Sequence, residues 1–198
     1  MLKKLIAAAA AMLVVGAAPA LAQKTAYYDH AKVVNDSNAW KALQAELQTK
    51  SAEVASKLKP IADEINSEAA AVEQIVADKT PQQLQSLSDE QKKLVGQWDQ
   101  KRQALQASQQ RVSQEFGLIR ELAEAKINEA IVNSLEDVAK SKRVDVIERQ
   151  TALGHYSSKF DATPEVLAAV NRSLSTLSVD GLVAEVAEAQ KQAQAAAQ

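Results

Sequence analysis

The chain has 198 residues, of which 23 are basic and 25 acidic, and it contains only 5 glycines, 4 prolines and 4% aromatic residues. Such scarce aromatic and turn-forming residues leave little material for a large globular core, and the abundance of Ala, Gln, Glu, Lys and Leu is typical of long helices. The absence of cysteine excludes a disulfide framework, and the net charge of −2 gives no electrostatic case for nucleic acid as a partner.

The first 22 residues have the pattern of a secretory signal peptide. Lys3 and Lys4 precede an apolar run over residues 5–15, and small residues follow up to Ala22. The apolar run is too short to span a bilayer, so we predict cleavage after Ala22 and export of a soluble protein to the periplasm. Removal of this segment leaves 21 basic and 25 acidic residues.

A short body segment over residues 23–36 opens the mature chain. Residues 24–30 are rich in aromatic side chains and precede any helical period, which predicts a strand of about five residues followed by a connector. Asp36 and Ser37 are candidate N-caps for the helix that follows.

Residues 37–142 form the longest patterned stretch, with apolar residues at helical spacing in two blocks. The first block is Trp40, Leu43, Leu47, Val54, Leu58, Ile61, Ile65, Ala69 and Val72, and the second is Leu94, Trp98, Leu105, Val112, Phe116, Ile119, Ala123, Ile127, Ala130 and Ser134. Two stripes with a break between them predict a long antiparallel coiled-coil hairpin. Its facing residues should have numbers that sum to roughly 167, so Val54 faces Val112 and Trp98 faces residues 69–71.

The break between the stripes predicts the tip of the hairpin at residues 79–88. Thr80 followed by Pro81 and Gln83 predicts a capped turn, and Ser88 with Gln91 predicts a capping box that starts the returning helix.

Three residues within the arms are candidate hinges. Pro60 cannot donate a hydrogen bond to the carbonyl of Ser56, and Gly96 and Gly117 weaken the returning helix. The alternative for each glycine is that it admits a bulky side chain from the facing arm.

After residue 142 the period becomes that of short strands. Residues 143–148 and 152–156 predict two strands joined by a turn, and Thr163, as a cap followed by Pro164, predicts a helix that ends near Leu177. Residues 143–177 thus complete the body, whereas the Ala- and Gln-rich residues 178–198 predict a frayed or disordered tail, or a helix from Leu182.

The predicted body has three strands and one short helix, which bury too little apolar surface to be stable alone. We therefore predict an oligomer whose core contains Tyr28, Val144, Val146, Tyr156, Val166 and Leu167.

Other chemistry has weak support in the sequence. His30 and His155 lack a clustered third metal ligand, the carboxylates of Asp63, Glu64 and Glu68 are expected on solvated helix faces, and Ser157 near His155 lacks a nucleophile elbow. We predict no enzymatic activity, no metal and no cofactor, with a hydrolase based on His155 and Ser157 as a minor alternative.

Five segments in order resemble the Skp/OmpH family of periplasmic chaperones: residues 27–37, 87–93 and 144–147, then Tyr156, then residues 161–167. The resemblance implies a jellyfish-like homotrimer with a small β-barrel body and three helical tentacles. It further implies that the cavity between the tentacles holds unfolded outer-membrane proteins without ATP. Members typified by Skp have strongly basic tentacles, whereas residues 37–142 contain 14 basic and 16 acidic residues, so contact with membrane or lipopolysaccharide stays open.

The residues themselves favour a holdase of this kind, because apolar side chains off the hairpin seam can make many weak contacts with an unfolded chain. These candidate client contacts are Val76, Leu84, Leu87, Val95 and Leu118. The alternative is a structural or adaptor protein of the cell envelope that docks one specific partner.

Overall fold

The fold is mainly helical, with two long helices and a small sheet, as the sequence predicts. A computed structural model describes residues 24–150 and 157–196, apart from the side chain of Gln190. The predicted signal peptide with its cleavage site after Ala22, and the predicted strand over residues 152–156 with His155 and Tyr156, lie outside the described residues.

The first four helices in chain order are α1 (His30–Asp36), α2 (Asn38–Val76), α3 (Pro81–Gln85) and α4 (Asp89–Lys142). Helix α1 lies within the body segment predicted over residues 23–36, and the other three form the arm. The Ser37 side chain accepts a hydrogen bond from the Trp40 N–H and caps α2, whereas Asp36 is the last residue of α1. At the tip, Thr80 with Gln83 and Ser88 with Gln91 both form the predicted capping boxes. At about 1.5 Å per residue, α2 is about 58 Å long and α4 about 80 Å.

The two long helices pair close to the predicted register. The Lys101 ammonium binds the carboxylates of Glu64 and Glu68, each at 2.7 Å, and these pairs sum to 165 and 169. Near the base, predicted seam residues are buried on both helices: Trp40, Leu43, Leu47, Ile119, Ala123, Ile127 and Ser134. One detail of the predicted seam is wrong, because Ile61 is 39% exposed. Ala130 packs against the core cluster as a partly buried residue, and its neighbour Ile131, which the predicted stripe omits, is buried.

The body contains two parallel strands, β1 (Thr25–Tyr28) and β2 (Val146–Arg149), with Thr25 opposite Val146. The predicted strand over residues 143–148 therefore starts later. Arg143 has a left-handed backbone with φ of 55° and caps α4, so the chain is still leaving the helix there. The arm thus connects two neighbouring parallel strands.

Helix α5 (Thr163–Ser173) is capped differently from the prediction. Ala162 is the N-cap residue, and the Asp161 carboxylate accepts a hydrogen bond from the Thr163 N–H. The Thr163 hydroxyl instead accepts a hydrogen bond from the Asp29 N–H at 2.9 Å and joins α5 to the end of β1. The helix ends at Ser173, four residues before the predicted end.

Of the two alternatives predicted for the tail, disorder is wrong, because residues Val179–Ala196 form helix α6, which begins three residues before the predicted Leu182. Val179 and Leu182 are buried in the same hydrophobic cluster as the base of the arm. The Glu46 carboxylate accepts a hydrogen bond from the Val179 N–H at 2.9 Å and satisfies a backbone donor at the start of α6. The residues that stabilise this helix thus lie on other helices, and the Ala-rich composition of the tail gives no sign of these contacts.

The hydrophobic core runs continuously from the body into the base of the arm and under α6. Tyr28 and Val166 are buried within one chain, Val144 and Leu167 pack against the same cluster, and Val146 is half-buried. One chain therefore has more apolar core at the base than the sequence predicts. A role for these residues in an oligomer core stays a prediction.

Candidate functional site

The arm has three segments that differ in how closely α2 and α4 pack. In the proximal segment Leu47 and Ile119 are buried, and in the distal segment Ile65 and Val72 are buried. Between them, from Gln48 to Glu64 on α2, no side chain is buried. The arm is therefore closed at both ends and open in the middle.

An apolar cleft of about 570 Å³ occupies this middle segment. Its apolar lining comes from both helices: Val54, Leu58 and Ala62 of α2, with Leu105, Val112 and Phe116 of α4. The sequence places these residues on the seam and predicts that they fill it. The structure brings them to one place but leaves their side chains partly exposed, so they present an accessible apolar surface.

Two of the three predicted hinge residues, Pro60 and Gly117, lie in or next to the open part of the arm, whereas Gly96 lies on the tip side of Trp98. Pro60 is inside the continuous helix α2, at the level of the cleft. A Cβ atom at Gly96 or Gly117 would have no atom of the facing helix within 4 Å, so the alternative that these glycines admit bulky side chains from the facing arm is wrong. Their role as hinges stays a prediction.

A polar clamp around Trp98 closes the arm on the tip side of the cleft. The Trp98 indole N–H donates a hydrogen bond to the Ile65 carbonyl at 3.0 Å, one turn nearer the base than predicted. The Arg102 guanidinium lies 5.2 Å from the Trp98 ring centroid, within cation–π range.

Lys101 adds an ionic link between the two helices at the same level. Lys101 donates hydrogen bonds to Glu64 and Glu68, and these bonds raise the pKa of the Lys101 ammonium, with the larger effect from Glu64. The lysine is therefore charged across the physiological range. The prediction that both carboxylates lie on solvated faces is wrong for Glu68, whose side chain is 25% exposed. The predicted register already contains the signal for this ionic link, because it places Lys101 opposite residue 66, between Glu64 and Glu68.

The predicted client contacts fall into two groups. Val76, Leu84, Leu87 and Val95 lie at or near the tip, where Leu84 is 36% exposed and the other three are half-buried. Leu118 is 44% exposed and lies on the proximal part of α4, beside a cavity that α6 also lines. The structure therefore does not bring Leu118 together with the other four.

Residues typical of catalytic or metal sites are not clustered in the described parts of the chain. Residues 24–150 and 157–196 contain no group of three or more His, Cys, Asp or Glu side chains that could hold a metal. Ser157 and Ser158 are exposed, and Ser158 begins a single 3₁₀ turn. His30 is half-buried, and this burial lowers its pKa, as does the positive charge of Arg149 nearby. The negative charges of Asp29 and Glu124 raise the pKa of His30, but by less.

No helix within residues 24–150 and 157–196 is both long and apolar enough to cross a bilayer.

A family profile decides the relationship of this chain to known proteins. The profile described as outer membrane protein (OmpH-like) matches residues 24–170. The chain belongs to the OmpH-like family. The match begins just before β1 and ends within α5, so it includes the whole arm and leaves α6 outside.

The fold of this OmpH-like protein is similar to a crystal structure from Caulobacter crescentus CB15 that is described as an outer membrane chaperone (OmpH-like). The TM-score is 0.63 at 19% sequence identity, and the similarity covers 78% of this chain and 88% of that chain. No curated protein matches this chain at a significant level of sequence similarity. The structural likeness thus supports the fold, and function has to be argued from the arm.

The open cleft predicts a stabilising substitution. Ala62→Leu adds a side chain that can pack against Leu105 or Val112 in the cleft, so we expect the free energy of unfolding to rise by about 0.5 to 1 kcal/mol. The measurement is chemical denaturation followed by circular dichroism. The matched control is Ala70→Leu on the same helix, where the alanine is exposed and no gain is expected; equal gains would contradict the position of the cleft.

Proposed function

We propose that this protein of the OmpH-like family is a periplasmic chaperone that holds unfolded outer-membrane β-barrel proteins and prevents their aggregation without ATP. The observation that carries the proposal is the arm, a slender helical hairpin with an open apolar cleft at its middle and partly exposed apolar side chains at its tip. Such dispersed apolar surface can make many weak contacts with an unfolded chain without fixing its shape. The family of the chain and the chaperone description of the similar structure support the same role.

The proposed assembly is a homotrimer in which three arms enclose the client. Its support is the family resemblance, together with a two-stranded sheet in the described body, which is small for an independent domain. Tyr28, Val144, Val146, Tyr156, Val166 and Leu167 stay the proposed body core of this trimer. Sedimentation of the mature chain at micromolar concentration should give a mass of three chains, and a single-chain mass would contradict a closed cavity.

The test of the holdase uses an unfolded outer-membrane β-barrel protein diluted from urea, with aggregation measured by light scattering. The purified mature chain is expected to suppress scattering without ATP. Serine at Val76, Leu84, Leu87 and Val95 should weaken the suppression, because it removes the apolar contacts at the tip. Serine at the exposed Gln82 and Gln85 is the matched control and should leave suppression unchanged.

The adaptor alternative predicts a different result in the same experiment. An adaptor would not suppress scattering, but it would retain one defined envelope protein on a column. Suppression of several unrelated clients would contradict the adaptor, and suppression of none would contradict the holdase.

A further inference from the structure

Helix α6 covers part of the arm surface that the proposed function assigns to clients. A cavity of about 310 Å³ lies between α4 and α6, and it is lined by Leu118 and Ile119 of α4 with Val183, Val186 and Ala187 of α6. Leu118 is a predicted client contact beside this cavity, and Val179 and Leu182 of α6 are buried against the hydrophobic cluster at the base of the arm. Without α6, the proximal arm would therefore expose a larger apolar strip.

The docked part of α6 is short. Val179 and Leu182 are buried and Val183 is partly buried against the arm, whereas the described side chains from Ala187 to Ala196 are exposed. Most of the stability of a helix in a protein comes from the packing of its apolar face and not from its composition. The helix is thus held by its first two turns, and its second half extends beyond that contact.

The two ion pairs between α6 and the arm lie at exposed positions. Lys50 pairs with Asp180 at 3.2 Å and Lys126 pairs with Glu185 at 2.9 Å, and the two acidic side chains are 79% and 52% exposed. The hydrogen bond that Lys50 donates to Asp180 raises the pKa of Lys50, and the negative charge of Asp180 raises it further. Exposed ion pairs contribute little to stability, so these links orient α6 more than they hold it.

We propose that α6 is a displaceable strap, which covers the proximal client surface of the arm until a client segment takes its place. This inference rests on the holdase function proposed above. The occupant that competes with α6 is an apolar segment of an unfolded outer-membrane protein, because the surface that α6 covers with Val179, Leu182, Val183 and Val186 is apolar.

The short connection between α5 and α6 sets a minimum affinity that a client needs in order to displace the strap. Only residues 174–178 separate α5 from α6, and a tether this short gives an effective concentration of about millimolar. A client that makes a single contact cannot compete with such a tethered helix. A long unfolded chain that also contacts the tip and the cleft can displace it, so the strap favours extended clients over small apolar peptides.

Truncation gives the first test. The mature chain that ends at Ser178 is compared with the full mature chain for suppression of scattering by the same urea-diluted β-barrel protein. We expect the truncated chain to reach half-suppression at a concentration about fivefold lower. Equal or weaker suppression by a truncated chain that keeps its helical circular dichroism would overturn the proposal.

Two variants of the full chain keep the test informative if truncation disturbs folding. Lys126→Glu repels Glu185 and should strengthen suppression, and the double variant Lys126→Glu with Glu185→Lys should restore the starting value. No effect of the single variant, or an effect that the swap does not reverse, would contradict the strap.

A covalent crosslink that keeps α6 on the arm, here called the lock, tests whether suppression falls when the strap cannot leave. The natural chain has no cysteine, so Leu118→Cys with Val183→Cys introduces one pair of thiols at the cavity that both residues line. With the bridge formed by a short bis-maleimide, suppression should fall about fivefold below that of the same variant left unbridged. Equal suppression in the two states would overturn the strap.

The two proposals fail in different ways. If neither the full nor the truncated chain suppresses scattering, the holdase function is wrong. If both suppress it equally and the lock has no effect, the holdase function stands and the strap is wrong.

Discussion

Replacing Leu43 with alanine is expected to lower the free energy of unfolding by about 3 to 4 kcal/mol, close to the largest effect of any single core truncation in this chain. Leu43 is fully buried in α2 where the arm joins the body, and it belongs to the cluster shared by β1, α1, α4, α5 and α6. Its removal leaves a cavity at the point where these elements meet, and the surrounding helices cannot all move to fill it.

The measurement is urea denaturation at one fixed protein concentration, because any oligomer makes apparent stability depend on concentration. The control is Val132→Ala in α4, where the valine is 66% exposed and the expected change is within about 0.5 kcal/mol. A loss below about 1 kcal/mol for Leu43→Ala would indicate that the base of the arm is loosely packed and would contradict the described core.

The hairpin was predictable because two independent signals in the sequence agree. The helical spacing of Leu43, Leu47, Ile119 and Ile127 identifies the two faces, and the capping boxes at Thr80 and Ser88 locate the tip. Both signals are local, since side-chain periodicity and capping depend on residues within one or two turns. The register then follows from the position of the tip alone.

The open cleft was not predictable from the same pattern. Spacing shows that Val54 and Val112 share the seam, but it does not show how far apart the two helices lie. Pro60 and the neighbouring small residues indicate that this part of α2 packs less closely against α4. The spacing of the apolar residues does not contain this information.

For helix α6 the sequence left a disordered tail and a helix from Leu182 as alternatives, for a related reason. Its composition is close to that of disordered segments, and its stability comes from a few residues, chiefly Val179 and Leu182, that are buried against distant parts of the chain. Tertiary contacts of this kind override local composition and leave little trace in a single sequence.

Replacing Trp98 with alanine is expected to open the distal part of the arm while the base stays folded. The variant loses the indole contact at the seam, the hydrogen bond to the Ile65 carbonyl and the cation–π contact with Arg102. Because Trp98 is half-buried, we expect a loss of about 2 to 3 kcal/mol, below the value for a fully buried tryptophan. Trp98→Phe keeps most of the ring and removes the hydrogen bond, so its expected loss is about 1 kcal/mol.

Hydrogen exchange locates the effect of these Trp98 variants along the arm. The cleft separates the distal clamp from the buried base, so amides in residues 62–76 and 90–105 should lose protection in Trp98→Ala while those in residues 119–138 keep it. Arg102→Ala, which removes the cation–π contact but leaves the indole hydrogen bond, should change exchange only slightly. Equal loss of protection along the whole arm would show that α2 and α4 separate as one unit, and the open middle segment would then not divide the arm into independent parts.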